Sequence, residues 1–177
     1  MTDRSGEDFA EGFAPVARDD ARILILGSLP GARSIREQQY YAHSQNAFWK
    51  IMGEVLGVGG DYARRCRQLT EHHIALWDVL CSSVRPGSLD ADIRTATASA
   101  NDFAGFLRRH AHIELIVFNG KKAEQLFARF VDAAVTGERI RCIGLPSTSP
   151  AYASMPFSVK LAAWRAALTE NAWRRET

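Results

Sequence analysis

Cysteine is scarce in this 177-residue chain. Only Cys66, Cys81 and Cys142 occur, and no two are spaced as a CxxC ligand pair. That sets aside a disulfide scaffold, a zinc ribbon and a four-cysteine iron–sulfur site. Three reduced thiols in a cytosolic protein are the expectation. No apolar run approaches the length of a membrane span. The opening MTDRSGEDFAEG is polar and acidic and has no apolar signal core. A soluble, intracellular chain with no membrane partner is expected. A strong charge excess is also missing: 22 basic residues stand against 20 acidic ones, for a net charge of +2. Such a balance permits a nucleic-acid partner only where the basic residues cluster. His43, His72, His73, His110 and His112 form neither HExxH nor any other metal spacing. The first glycine turn is neither GxGxxG nor a Walker loop, so neither a metal nor a nucleotide cofactor is implied.

What is present is apolar material, 46% of the chain, enough for the core of one domain. Residues 1–20 read as a flexible polar leader, and residues 21–177 as a single domain acting as a monomer. Four short apolar runs end in turn residues: Arg22–Gly27, Ile74–Leu80, Ile113–Gly120 and Arg139–Ser147. Runs of this kind suit buried strands of a parallel sheet. Amphipathic stretches lie between and after them: Ala47–Gly57, Asp61–His72, Asn101–His110 with Asn101 as its cap, Lys121–Val135, and Ser158–Trp173 with Ser158 as its cap. Alternating strands and helices predict a three-layer α/β/α sandwich around a central, mostly parallel four-stranded sheet. Ligands of such sheets sit at the carboxyl ends of the strands, which directs attention to the segments that follow each strand.

GSLPG, Gly27 to Gly31, is a tight turn with exposed amides, fit for a phosphate or a flat ligand or simply for joining a strand to a helix. The segment Gln38–Trp49, QQYYAHSQNAFW, is dense in amides and aromatic rings, the groups that read base edges and stack on bases. Within it, Phe48 and Trp49 read as core, Tyr41 as functional, and Asn46 as either a helix cap or a site residue. His43 is the histidine placed to matter. Asp78 interrupts an apolar run, so it must either bond to backbone amides or serve a site. Lys121 and Lys122 open a helix and suit DNA phosphates or plain solvent. In LPSTSPAY, residues 145–152, hydroxyls and two prolines make a stiff polar loop, either a connector or a grip on a DNA backbone.

Taken together, these segments resemble the uracil-DNA glycosylase superfamily. GSLPGARSIREQQYYAHSQNAFW is most similar to its hypoxanthine-DNA glycosylase branch, also called DNA-deoxyinosine glycosylases. It is also similar to the mismatch-specific uracil enzymes. The resemblance spans about residues 23–152 and departs from the uracil enzymes at two points. Leu29 stands where they carry a water-handling Asp or Asn. Leu145 stands where the classical ones carry a histidine that supports the leaving base. Both departures weigh against uracil as the main substrate. The resemblance implies a monofunctional enzyme, without a cofactor, that excises a deaminated base from DNA and begins base excision repair. It places the chemistry on Asn46 and Asn119 and lays the flipped base against Tyr41. Asp78 would form the pocket floor, with Gly27, Ser28, Leu29, Pro30 and His43 around the base. Pro146, Ser147, Ser149, Lys121 and Lys122 would meet the DNA. Three rivals follow from the same residues: a uracil or G:U mismatch glycosylase, a non-catalytic damage-binding module, and a serine hydrolase using Ser28 or Ser147 with His43. The last lacks a GxSxG elbow. The paired carboxylates of sugar hydrolases are not evident in the sequence.

Overall fold

The computed structural model describes residues 8–169. Its element order is β1 (Phe9–Glu11), β2 (Ile23–Gly27), α1 (Ala32–Glu37), α2 (Phe48–Leu56), α3 (Tyr62–Glu71), β3 (Ile74–Asp78), β4 (Leu80–Val84), β5 (Ser99–Ala100), α4 (Phe103–Arg109), β6 (Leu115–Asn119), α5 (Lys121–Phe130), β7 (Arg141–Leu145) and α6 (Phe157–Thr169). Four strands form the central sheet in the order β3-β2-β6-β7, every neighbouring pair parallel. Every residue of β2, β3 and β6 is buried, whereas the edge strand β7 is largely exposed. That contrast explains why these three buried strands read as continuous apolar runs: their faces are covered. Trp77 and Phe118, which flank Leu26 in the register, meet α4 and α5 through Phe103, Phe106 and Phe127. Elsewhere Phe48 of α2 packs edge-on against Trp164 of α6, both fully buried. The expected three-layer α/β/α sandwich is the architecture observed. Among the described residues no helix is long and apolar enough to cross a membrane.

Several boundaries differ from the sequence reading, each for a local reason. The run Ile74–Leu80 is not one strand. The chain leaves the central sheet after Asp78, and Leu80–Val84 enters a second, antiparallel sheet in the order β1-β4-β5. Residues 8–20 are not a free leader: β1 pairs with β4, and Val16 bridges to Leu76. Phe13 lies edge-on to Tyr40, with ring centroids 4.5 Å apart, and its carbonyl accepts from Trp77 Nε1. Residues 1–7 of the expected leader, and 170–173 of the expected last helix, lie outside the described residues. Asn101 does not cap α4. Asp102 does, accepting from the Gly105 amide, while Asn101 donates to the Asp78 carbonyl. Ser158 lies inside the first turn of α6, because the Pro156 carbonyl already accepts from the amides of Val159 and Lys160. Helix α5 stops at Phe130, and residues 133–135 form a separate 3₁₀ turn.

The topology fixes where a ligand can enter. From β2 the chain first crosses to β3 on one side and later to β6 on the other. Strand order therefore reverses between β2 and β6, the kind of switch point where open α/β sheets leave a crevice. Gly27, Asp78 and Asn119 are the last residues of three adjacent strands at that place.

Candidate active site

A cavity of about 570 Å³ opens at those strand ends. Its walls include Gly27–Gly31 after β2, Tyr41, His43 and Asn46 before α2, Asp78, Ser88–Ala91, Asn119, and Ser147–Tyr152 after β7. All nine residues expected in the chemistry or around the base border it: Gly27, Ser28, Leu29, Pro30, Tyr41, His43, Asn46, Asp78 and Asn119. The residues expected on DNA divide. Ser147 and Ser149 border the cavity. The Pro146 carbonyl is turned away and accepts from Trp164 Nε1. Lys121 is exposed and paired with Glu124 at 2.8 Å. Lys122 is half-buried, and its charge favours the anion of Asp90.

The first turn is held rigidly. The carbonyls of Gly27 and Ser28 accept from the amides of Val79 and Leu80, and those of Leu29 and Pro30 accept from the Arg85 guanidinium. Gly27 is required by close approach. A Cβ there would collide with Asp78 Oδ1 and come within 3.1 Å of the Tyr41 hydroxyl. Tyr41 has φ +55°, in the left-handed region that non-glycine residues adopt only at a cost. Its ring is stacked on Phe48 at 4.1 Å between centroids. Phe48 thus backs one ring face, and the residue lines the cavity. Its hydroxyl is buried without a hydrogen bond, next to the Asn119 carboxamide, and burial beside Asp78 raises the phenol far above its usual range.

The two asparagines are oriented by bonds that settle which end is which. Asn46 Oδ1 accepts from the Phe48 amide at 3.0 Å, so the oxygen caps α2 and the NH₂ group is the end left to donate. Asn46 thus accepts from the first amide of α2, one residue before the N-cap position Ala47, and borders the cavity. Asn119 is clasped by Thr148, donating to Oγ1 at 2.9 Å and accepting from the amide at 2.9 Å. One N–H of its NH₂ remains for a ligand. Gly120, at φ +94°, allows this clasp, since a Cβ would lie 2.9 Å from Ser147 Cβ. His43 is exposed, with Nδ1 accepting from the Gln45 amide.

Three members of the site were missed in the sequence. Thr148 is 1% exposed and sets the rotamer of Asn119. Arg85 is buried and grips the first turn. Asp90 accepts from the Ser28 hydroxyl at 2.5 Å. The only signal for the last two was a cluster, RPGSLDAD, residues 85–92, that reads as a solvated turn. The structure thus brings two carboxyls, Asp78 and Asp90, to one cavity, although no pairing was evident in the sequence.

Asp78 is 4% exposed, and its Oδ2 has no partner. Burial, reinforced by Asp90 and opposed by Arg85, pushes its carboxyl up to about 8. The folded chain therefore keeps a proton there that the unfolded chain releases near the ordinary value of 3.8. The contribution to stability is full below that value and is lost as pH rises toward about 8. Asp78→Asn is expected to flatten the dependence of Tm on pH across this interval and to give the higher Tm at its alkaline end. Parallel Tm curves for parent and variant would show that Asp78 is ionised throughout.

A model of the Uracil DNA glycosylase superfamily matches residues 14–171. Two curated relatives are each named "Hypoxanthine DNA glycosylase". That of Methanosarcina barkeri is 39% identical over 116 residues, 64% of this chain and 72% of the relative. That of Methanosarcina acetivorans is 40% identical over 115 residues, 63% of this chain and 72% of the relative. A solution NMR structure assigned as a uracil DNA glycosylase from Methanosarcina acetivorans superposes with a TM-score of 0.76 at 33% identity, covering 90% of this chain and 96% of that one.

Proposed function

Because the chain belongs to the uracil-DNA glycosylase superfamily and is a DNA glycosylase, a hydrolase of N-glycosyl bonds, we propose that its preferred substrate is hypoxanthine in DNA. The observation that carries this reading is the cavity itself. At about 570 Å³ it has room for a purine and its sugar, within the usual range for small-ligand sites. Its polar groups include two oriented carboxamides and two carboxyls, Asp78 and Asp90, rather than the uracil enzymes' pair. Leu29 is buried in the wall, and Leu145 does not border the cavity. Neither supplies the polar group that classical uracil excision uses.

Hydrolysis of the glycosidic bond builds positive charge on the sugar and negative charge on the base, and rate comes from stabilising both. In this reading the base leaves the stack, at a cost of a few kcal/mol that is least for mispaired bases, and lies on Tyr41. The free N–H of Asn119 and the neutral carboxyl of Asp78 hold its edge, and the NH₂ of Asn46 fixes the position of the attacking water. Ser147 and Ser149 meet the backbone phosphates, with Lys122 nearer the cavity than Lys121. No lysine is placed to form a Schiff base with the sugar, so an abasic site is the product. DNA as substrate and three free thiols support a place in the cytosol.

The test is strand scission by alkali after enzyme treatment, on duplexes carrying hypoxanthine, uracil or xanthine. Hypoxanthine is expected to be released fastest. Faster release of uracil would reverse the substrate assignment, and DNA binding without any abasic product would leave a damage-recognition module.

A further inference from the structure

The turn after β2 offers no acid to the reacting water, since position 29 is leucine. The fold brings one in from a different segment. Asp90 opens the 3₁₀ turn 90–92 that hangs from β4, and it borders the cavity together with Ser28, Tyr41, Asn46, Asp78 and Asn119. We propose that Asp90 is the general base of the reaction, its carboxylate removing a proton from the water that attacks the sugar. The proposal rests on the glycosylase reading of the same cavity.

Geometry supplies the first argument. Ser28 donates to Asp90 Oδ1, which fixes the rotamer. Among the described residues no hydrogen bond reaches Oδ2, yet it is not one of the sealed, partnerless oxygens. It is therefore the Asp90 oxygen that keeps access to solvent, on a residue that borders the cavity. Asp78 differs in having one oxygen, Oδ2, enclosed without a partner. Two carboxyls in one cavity with such different surroundings divide the work of base and acid.

Charge supplies the second argument. The groups that face Asp90 are the Ser28 hydroxyl from the turn after β2, Asp78 at the end of β3, Arg85 after β4, Lys122 of α5 and the phenol of Tyr41 before α2, with Asp92 on its own turn. Burial raises the Asp90 carboxyl above its ordinary value, while Ser28, Arg85 and Lys122 pull it back toward the anion. Asp78 has only Arg85 on its side and holds its proton instead. A base raised above the ordinary carboxylate value accepts a proton more readily than an exposed aspartate.

The step balances with one water. The water oxygen bonds to C1′ of the sugar as one of its protons passes to Asp90 Oδ2. The C1′–N9 bond breaks, and its electron pair goes to the purine. The Asp78 carboxyl and the Asn119 N–H hold that charge until the base takes a proton from solvent, and Asp90 returns its proton to solvent. One water is consumed, and an abasic sugar and a free base result.

Single-turnover excision measured from about pH 5 to about pH 9 tests this. The parent should show a rate that rises on the acid side as Asp90 ionises. Asp90→Asn keeps the acceptor for Ser28 and the shape of the turn. It should lose roughly 10²–10⁴-fold in rate together with the acid limb, while DNA affinity and Tm stay near those of the parent. Ser28→Ala removes a bond that favours the carboxylate, so its acid limb should move to higher pH, a shift that a purely structural Asp90 would not produce. If Asp90→Asn fails to fold, the displaced limb of Ser28→Ala decides the matter. An Asp90→Asn enzyme within about threefold of the parent with an unchanged acid limb, or a Ser28→Ala limb that does not move, overturns the role of Asp90 and leaves the glycosylase reading standing. A parent that frees no base from hypoxanthine, uracil or xanthine overturns both.

Discussion

Asn46→Ala is expected to slow release of hypoxanthine by about 10²–10³-fold in single turnover, the usual cost of losing one donor placed for the transition state. DNA affinity should change far less, because the phosphates are met by other residues. The same substitution removes the oxygen that accepts from the Phe48 amide. A lost cap of this kind costs about 1 kcal/mol, or roughly 2–4 °C in Tm for a chain of this size. Asn46→Asp separates the two effects. A carboxylate keeps the cap and loses the NH₂ donor, so Tm should recover while excision stays slow. Full excision by Asn46→Asp would reduce Asn46 to its capping role.

The second large effect is expected at Asn119. Its carboxamide satisfies both the amide and the hydroxyl of Thr148, a residue 1% exposed. Asn119→Ala strands both groups in a site with little access to water. At about 1–3 kcal/mol for each buried polar group left unpaired, the loss is about 2–6 kcal/mol, a drop of ~4–24 °C in Tm. Excision should fall with it, since the loop carrying Ser147 and Ser149 is tethered through the same pair. Thr148→Val distinguishes the tether from the chemistry. It removes the hydroxyl alone and leaves Asn119 its remaining amide partner, so it should cost about 1 kcal/mol of stability and keep most of the excision rate. An equally inactive Thr148→Val would shift the function of this pair from Asn119 to the position of the loop.

The parts of the fold that were legible are those whose pattern is set by burial. β2, β3 and β6 are enclosed on both faces, so Ile23–Leu26, Ile74–Trp77 and Leu115–Phe118 are written as unbroken apolar runs. The second sheet was not legible. Leu80–Val84 follows β3 after a single residue, is only partly buried, and owes its pairing to β1, some 70 residues earlier in the chain. Asn46, Asn119, Tyr41 and Asp78 could be found because amides, an aromatic ring and a lone acid at strand ends are unusual residues for those places. Asp90, Arg85 and Thr148 could not. A turn with two acids reads as solvated, and an Arg or Thr acquires a role only when the chain folds back to bring carbonyls or an asparagine against it. Asn101 shows the reverse error: its spacing suits a cap, but the Asp78 carbonyl claims its side chain first.

The pairing of β1 with β4 gives the amino-terminal stretch an influence beyond its size. Arg85 and Asp90 are suspended from the far end of the strand that β1 flanks, and the Arg85 amide itself donates to the carbonyl of Asp8. Peeling residues 8–11 away would expose one margin of the small sheet and slacken the roof over the cavity, though none of those four residues touches it. The outermost strand performs no chemistry, yet it flanks the strand from which the Asp90 turn over the cavity hangs.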